Sequence, residues 1–152
     1  MKTLLFLLLS LCLIAIGHGK NKKIAYEVLH DDPFFLRDKD ERHFNDWTSN
    51  PEKAAALLEK YRIKKEFKLP EGGILAILLS DRITYDLVRI TFDAPSATAY
   101  AEYKDSGIRY KLAAPPVGKK YSHLTAVVFT SPVAPKDFHL RAKLIGGDPD
   151  GE

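Results

Sequence analysis

The densest group of side chains that could do chemistry lies in the first third of the sequence. It contains His30, Asp31, Asp32, Asp40 and His43. Imidazole nitrogens and carboxylate oxygens are ligands that zinc and manganese take in proteins, and paired carboxylates can act as general acid and base. Two hypotheses follow: a metal site formed by His30, Asp32, Asp40 and His43, and a small secreted metal-dependent hydrolase that uses all five residues.

No sequence motif indicates that these residues form a metal or catalytic site and not simply a solvent-exposed segment with salt bridges. The sequence has no H-E-x-x-H pair, and the stretch from Asp38 to Arg42 lacks the central glycine and later oxygen ligands of a calcium loop. Serine catalysis has no support either, because no G-x-S-x-G elbow is present. We therefore predict no catalytic residue and no cofactor, and keep the hydrolase as the alternative.

A second set of residues indicates binding. Residues 97–114 alternate between apolar and polar types around Asp105-Ser106-Gly107, which predicts a β-hairpin with a four-residue loop. In that register the alanines and Tyr103 of the first strand are buried. Aromatic and charged side chains on the opposite face would then form a recognition surface. The predicted binding residues on that outer face are Tyr100 opposite Lys111, and Glu102 opposite Arg109.

The amino end of the sequence predicts export. Met1 and Lys2 precede an apolar run over residues 4–16, and small residues follow it, as in a secretory signal peptide. The run is too short to cross the roughly 30 Å hydrocarbon core of a bilayer. We expect a leader over residues 1–19, cut after Gly19 or after Gly17, and no transmembrane segment in the mature chain. The mature protein would be extracellular, or periplasmic in a bacterium.

Composition limits the partners of the mature chain. The sequence has 23 basic and 20 acidic residues, and removal of the leader takes away one basic residue, so the mature net charge is +2. A balance so close to neutral argues against nucleic acid as a partner. The only cysteine, Cys12, lies in the leader, so we expect neither disulfides nor thiolate metal sites.

Hydrophobic patterning gives the fold class. We predict one globular domain over residues 20–152, with a mixed segment over 20–66, a sheet region over 67–146 and an acidic tail over 147–152. Short strands separated by proline and glycine turns predict a mainly β protein. The expected architecture is an antiparallel β-sandwich of about six or seven strands, with one helix from the amino-terminal side packed against it.

Several local patterns can be tested against the structure. The apolar run at 74–79 predicts a strand covered on both faces, and the run at 123–130 predicts another central strand. A parity slip near Leu87 predicts a β-bulge. The remaining predictions are a first strand over 24–29, helical pieces or a packed loop over 32–47, a helix over 52–62 that begins with a capping box at Ser49 and Glu52, and an alternating strand over 138–145.

The function that these observations favour is that of an exported, non-catalytic binding module. It would act through a sheet face or through loops on another protein, including a protease that it would inhibit, or on a cell-surface glycan. Besides the hydrolase, a structural protein of an envelope or matrix is a further alternative, and it would self-associate.

Overall fold

Two four-stranded sheets make up about half of the residues that the computed structural model describes, which are 21–41, 45–80 and 82–146. The predicted leader, His43 and the acidic tail lie outside the described residues. The elements are β1 Lys22–Ile24, β2 Tyr26–Asp38, β3 Asn45–Thr48, α1 Pro51–Lys60, β4 Gly73–Ser80, β5 Tyr85–Asp93, β6 Thr98–Asp105, β7 Lys119–Thr130 and β8 His139–Leu144, with a 3₁₀ turn at Pro135–Asp137.

The front sheet has the strand order β1-β5-β6-β8, and the back sheet has the order β2-β7-β4-β3. Neighbouring strands are antiparallel except for β6 and β8, which are parallel. Only Ala25 separates β1 from β2, so the chain passes from the front sheet to the back sheet there and divides the predicted first strand in two. The predicted β-sandwich with a single helix is confirmed.

The back sheet is buried on both of its faces at the centre. Every residue of β4 is buried: Ile74, Ala76 and Leu78 pack between the sheets, while the intervening leucines and isoleucine pack toward α1. A strand covered on both sides needs apolar residues at every position, which explains its continuous apolar run. β7 lies beside β4 in the middle of the same sheet, so both predictions of a central strand are confirmed.

Helix α1 lies on the outer side of the back sheet. Ala54, Leu57 and Leu58 form its buried stripe, as the spacing of three and four predicts. The predicted capping box at Ser49 is wrong, because the helix begins one residue later. Oδ1 of Asn50 accepts hydrogen bonds from the backbone N–H groups of Glu52 at 2.8 Å and Lys53 at 3.2 Å, and this satisfies two free donors of the first turn.

The helical pieces expected over residues 32–47 are wrong. Strand β2 continues to Asp38, and β3 begins at Asn45. The stretch is polar because β2 is an edge strand, where charged side chains reach solvent and discourage pairing with other chains. Pro33 falls at a register irregularity between Asp32 and Phe35, where its missing N–H removes no ladder hydrogen bond.

The predicted hairpin over residues 97–114 is also wrong. Strand β6 pairs with β5 on one side and β8 on the other, so neither edge remains for residues 108–114. The turn itself forms, since Gly107 has a φ of 69° and its N–H donates to Asp105 Oδ1. The alternation within β6 is as predicted: Ala99, Ala101 and Tyr103 are buried between the sheets.

Two further local predictions are confirmed. The register of β5 against β6 shifts between Leu87 and Arg89, which is the predicted β-bulge. The alternating stretch at 138–145 contains β8, an edge strand of the front sheet. Phe138, just before β8, closes that side of the sandwich, because its ring lies 5.1 Å from that of Trp47 on β3.

Candidate binding surface

The two sheets differ in what covers their outer sides. α1 and the residues that follow it, including Tyr61, Ile63 and Leu69, bury the outer side of the back sheet. The described helices and strands leave the outer side of the front sheet uncovered. Side chains that project from that side are therefore available to a partner.

Strand pairing arranges those side chains in rows, because paired residues on neighbouring strands project to the same side. One row crosses all four strands, and a second row lies beside it. We call these residues the outer face: Lys23, Thr91, Tyr100 and Arg141 in the first row, and Arg89, Glu102 and Lys143 in the second.

Glu102 is the buried centre of the outer face. Its side chain is only 3% exposed. Oε2 accepts a hydrogen bond from Arg89 Nε at 2.6 Å, and Oε1 accepts one from Thr91 Oγ1 at 2.9 Å. Burial would raise the pKa of this carboxyl, but those two hydrogen bonds and the charges of Arg89 and Lys143 outweigh it and hold the pKa below its ordinary value. Glu102 is therefore an anion in the folded protein at neutral pH.

The remaining charges of the outer face are positive. Lys23, Arg141 and Lys143 are exposed, and Arg89 keeps 43% of its side chain exposed although its Nε–H is used by Glu102. Tyr100 is partly exposed between Thr91 and Arg141. The face thus offers guanidinium and ammonium donors around one aromatic ring, an arrangement that can bind carboxylate or sulfate groups on a ligand.

The structure separates the four predicted binding residues. Tyr100 and Glu102 share the outer face, but Arg109 and Lys111 lie in the irregular segment after β6. The expected pairs Tyr100–Lys111 and Glu102–Arg109 are therefore wrong. Arg141 and Arg89 stand in their places. Arg109 instead lines a groove of about 530 Å³.

Of the four predicted metal ligands, the structure describes His30, Asp32 and Asp40, and these three do not come together. His30 and Asp32 share one face of β2, opposite Ala126 and Leu124. Asp40 follows the end of that strand, and at about 3.3 Å per residue an extended strand places it more than about 20 Å from His30. Within the parts of the chain that the structure describes, no group of three or more His, Cys, Asp or Glu side chains is placed to hold a metal ion.

Asp31 takes part in a contact that the sequence did not reveal. Its Oδ1 lies 2.7 Å from Nε2 of His123 and accepts a hydrogen bond from Thr125 Oγ1 at 3.2 Å. The His123 side chain is 6% exposed, its Nδ1 is buried without a hydrogen-bond partner, and that atom lies 3.7 Å from Asp86 Oδ1 on the front sheet. Because 92 residues separate Asp31 from His123, no local pattern could have indicated this link between the sheets.

No protein-family model matches this chain, and neither a curated protein nor a solved structure matches it significantly. Across residues 21–41, 45–80 and 82–146, no helix has the length and apolar character needed to cross a membrane.

Proposed function

We propose that the protein is an exported, non-catalytic binding module that acts through the outer face of the front sheet on a protein or a cell-surface glycan. The observation that carries the proposal is the row Lys23, Thr91, Tyr100 and Arg141, which crosses all four strands of an uncovered sheet. A partly exposed tyrosine ring beside cationic side chains is typical of the residues that contribute most to binding energy.

The support of the outer face from below favours binding without rearrangement. Ala99 and Ala101 anchor β6 between the sheets on either side of Tyr100. On the outer side, Glu102 holds Arg89 and Thr91 by hydrogen bonds. Side chains fixed before a ligand arrives lose less conformational entropy on binding, so a preorganised face of this kind supports higher affinity.

Export is the second part of the proposal, and the apolar run at residues 4–16 supports it. The test is to express the full sequence in a secreting host and to determine the amino-terminal sequence of the protein recovered outside the cytoplasm. We expect it to begin at Lys20, or at His18 if the cut follows Gly17. Protein that stays in the cytosol with Met1 attached would contradict export.

The binding role is tested with arrays of oligosaccharides and of overlapping peptides. Wild type is compared with the double variant Tyr100→Ala/Arg141→Ala, and Lys53→Ala on the exposed side of α1 serves as the control. We expect at least one class of ligand to be retained by wild type and by the control and to be lost by the double variant.

Two results would count against the proposal. If the double variant keeps every interaction of the wild type, the outer face is not the binding site. If the wild type binds nothing on either array but forms large assemblies at micromolar concentration, the structural envelope or matrix protein becomes the better explanation. Sedimentation velocity over a range of concentrations measures that self-association.

A further inference from the structure

We infer that the ligand of the outer face is an acidic polysaccharide, that is, a sugar chain that carries carboxylate or sulfate groups. The inference rests on the proposed function and adds the chemical class of the ligand. Charge complementarity supports it first. Four cations, Lys23, Arg89, Arg141 and Lys143, surround a single carboxylate.

That carboxylate offsets one of the four positive charges, and three remain to attract an anionic ligand. Glu102 is buried, and both of its oxygens already accept hydrogen bonds from Arg89 and Thr91. The guanidinium of Arg89 binds it through Nε, so the terminal NH₂ groups remain for a second anion. Because an arginine can hold a planar anion with two parallel hydrogen bonds, carboxylate and sulfate groups suit this position.

The area covered by the four cations is limited at both ends of the strands by residues of other types. Asp93, Thr98 and His139 form the row on one side of it, and the Asp93 carboxylate accepts a hydrogen bond from Ser96. Asp86 pairs with Lys104 near the other end. The cationic area is therefore a band that runs across the strands, not along them.

The dimensions of the band favour an extended ligand. Strands are about 4.8 Å apart, so Lys23 on β1 and Arg141 on β8 are separated by about 14 Å, and rows two residues apart lie about 7 Å from each other. A single sugar or a lone anion would cover only part of such a band. A chain with repeated acidic groups can contact cations of both rows at once.

The uncharged members of the outer face favour a sugar over an acidic peptide. They are Thr91 and Tyr100, and the paired rows contain no aliphatic side chain. One exposed aliphatic residue, Val88, stands beside the rows in the bulge before Arg89. Protein partners usually insert apolar anchors into a dry centre, and the rows offer no such place. The negative face of an aromatic ring attracts the slightly positive C–H groups of a sugar ring, while hydroxyl groups of the sugar can bond to the exposed cations. Thr91 is buried and donates its hydroxyl to Glu102, so it supports the face from within.

Nucleic acid is a different polyanion that also stacks on aromatic rings. Proteins that hold single strands use several aromatic platforms in succession along a cationic groove. The paired rows of the outer face present Tyr100 as their only aromatic residue. One ring therefore fits a sugar chain better, and an oligonucleotide belongs among the competitors in the test.

The experiment measures the affinity of the exported protein for immobilised polymers by biolayer interferometry. The probes are dextran sulfate, polygalacturonate, neutral dextran, poly-glutamate and a single-stranded oligonucleotide. The variants are Arg141→Ala/Lys143→Ala, with Lys64→Ala/Lys65→Ala behind the back sheet as a control of equal charge change. Tyr100→Leu removes the ring but keeps an apolar side chain, and Tyr100→Phe keeps the ring.

We expect wild type to bind the two acidic polysaccharides and not neutral dextran. The Arg141→Ala/Lys143→Ala variant should bind about tenfold more weakly, which corresponds to about 1.4 kcal/mol for the two exposed ionic contacts together. The Lys64→Ala/Lys65→Ala control should bind like wild type. Tyr100→Leu should also weaken binding, Tyr100→Phe should not, and added salt should weaken binding throughout.

The outcomes separate the two proposals. If neutral dextran binds as tightly as the acidic polysaccharides, the ligand is not an acidic polysaccharide, but the proposed binding face is unaffected. The same conclusion follows if poly-glutamate or the oligonucleotide binds as tightly and that binding depends on Arg141 and Lys143. If no probe depends on any outer-face variant, and array ligands are equally insensitive, both proposals fail. Circular dichroism and urea unfolding of each variant confirm that it is folded before affinities are compared.

Discussion

Arg89 and Glu102 are joined by a 2.6 Å hydrogen bond in which the carboxylate is almost completely buried while the arginine remains 43% exposed. The two residues lie opposite each other on β5 and β6. The buried carboxylate of Glu102 therefore fixes the position of the Arg89 guanidinium, which still faces solvent. This contact explains how a charged sheet face can be rigid without being neutral.

Replacement of Glu102 by glutamine tests how much the Arg89–Glu102 pair stabilises the fold. Glutamine keeps the shape but is neutral: its amide oxygen can accept from Arg89 Nε–H and its NH₂ group can donate to Thr91 Oγ1, so the change removes the negative charge that strengthens both hydrogen bonds. We expect the free energy of unfolding to fall by about 1–2 kcal/mol, the range of hydrogen bonds to a charged group. Urea unfolding measures the change, and the exposed Glu66→Gln is the matched control. Equal midpoints for the two variants would show that the pair adds nothing to stability.

The same pair predicts a dependence of stability on pH. The pKa of Glu102 is held below its ordinary value of 4.5, so the carboxylate form stabilises the fold. That stabilisation is complete above the ordinary value and is lost as the pH falls through the lower value of the folded state. We expect the advantage of wild type over Glu102→Gln to shrink between about pH 6 and about pH 3, measured as the difference in urea midpoint. An advantage that is unchanged in acid would contradict this assignment.

A double-mutant cycle tests the link between Asp31 and His123. We expect Asp31→Ala and His123→Ala to be coupled by about 0.5–1.5 kcal/mol, because each removes one partner of a short, partly buried contact. Urea unfolding of the wild type, both single variants and the double variant gives the coupling. Glu27→Ala, elsewhere on β2, replaces Asp31→Ala in a control cycle that should show none. Additive effects of Asp31 and His123 would mean that the contact does not stabilise the sandwich.

Among these variants, we expect Phe138→Ala to lower the free energy of unfolding most. The buried ring of Phe138 lies 5.1 Å from that of Trp47 and 5.9 Å from that of Phe129. Phe138→Ala should therefore cost about 3–4 kcal/mol through lost burial and a cavity. Fluorescence of Trp47, the only tryptophan of the sequence, follows the unfolding. Phe34→Ala, at a ring that is 40% exposed, should lower the free energy of unfolding much less. A similar loss of stability in both variants would contradict the role of Phe138 in closing this side of the sandwich.

The amino end of helix α1 distinguishes two capping schemes. Asn50→Ala removes the acceptor for two backbone donors and should cost about 1 kcal/mol. Ser49→Ala should be nearly neutral, because the helix begins after Asn50. Urea unfolding of both variants decides between them, and a larger loss for Ser49→Ala would restore the capping box that the sequence pattern predicts.

The central strands and the helix could be predicted from the sequence because burial decides which of their positions must be apolar. A strand covered on both faces is apolar throughout, and a helix covered on one side is apolar at every third or fourth residue. The apolar run of β4 and the stripe of α1 are such cases. The polar part of β2 after Leu29 could not be predicted, because most of its positions are not fully buried and no regular apolar period remains there. The parity slip near Leu87 was readable, since a bulge changes the facing of every residue after it.

Two of the seven residues of the outer face could be predicted in the same way. Alternation along β6 places Tyr100 and Glu102 together on one side of the strand, as the structure has them. Which strand lies beside β6 is not a local property, so the sequence offered Arg109 and Lys111 where the fold supplies Arg89 and Arg141. The parallel pairing of β6 with β8 depends on the path of the chain through the other sheet.

The front sheet takes its two edge strands from opposite ends of the described chain, β1 and β8. Lys23 lies on the first of these strands, and Arg141 and Lys143 lie on the last. An exopeptidase that trims either terminus would thus reach these side chains before it reached any residue of the back sheet. If the outer face is the binding site as proposed, such trimming would weaken binding while the central strands of the back sheet, β4 and β7, stayed in the chain.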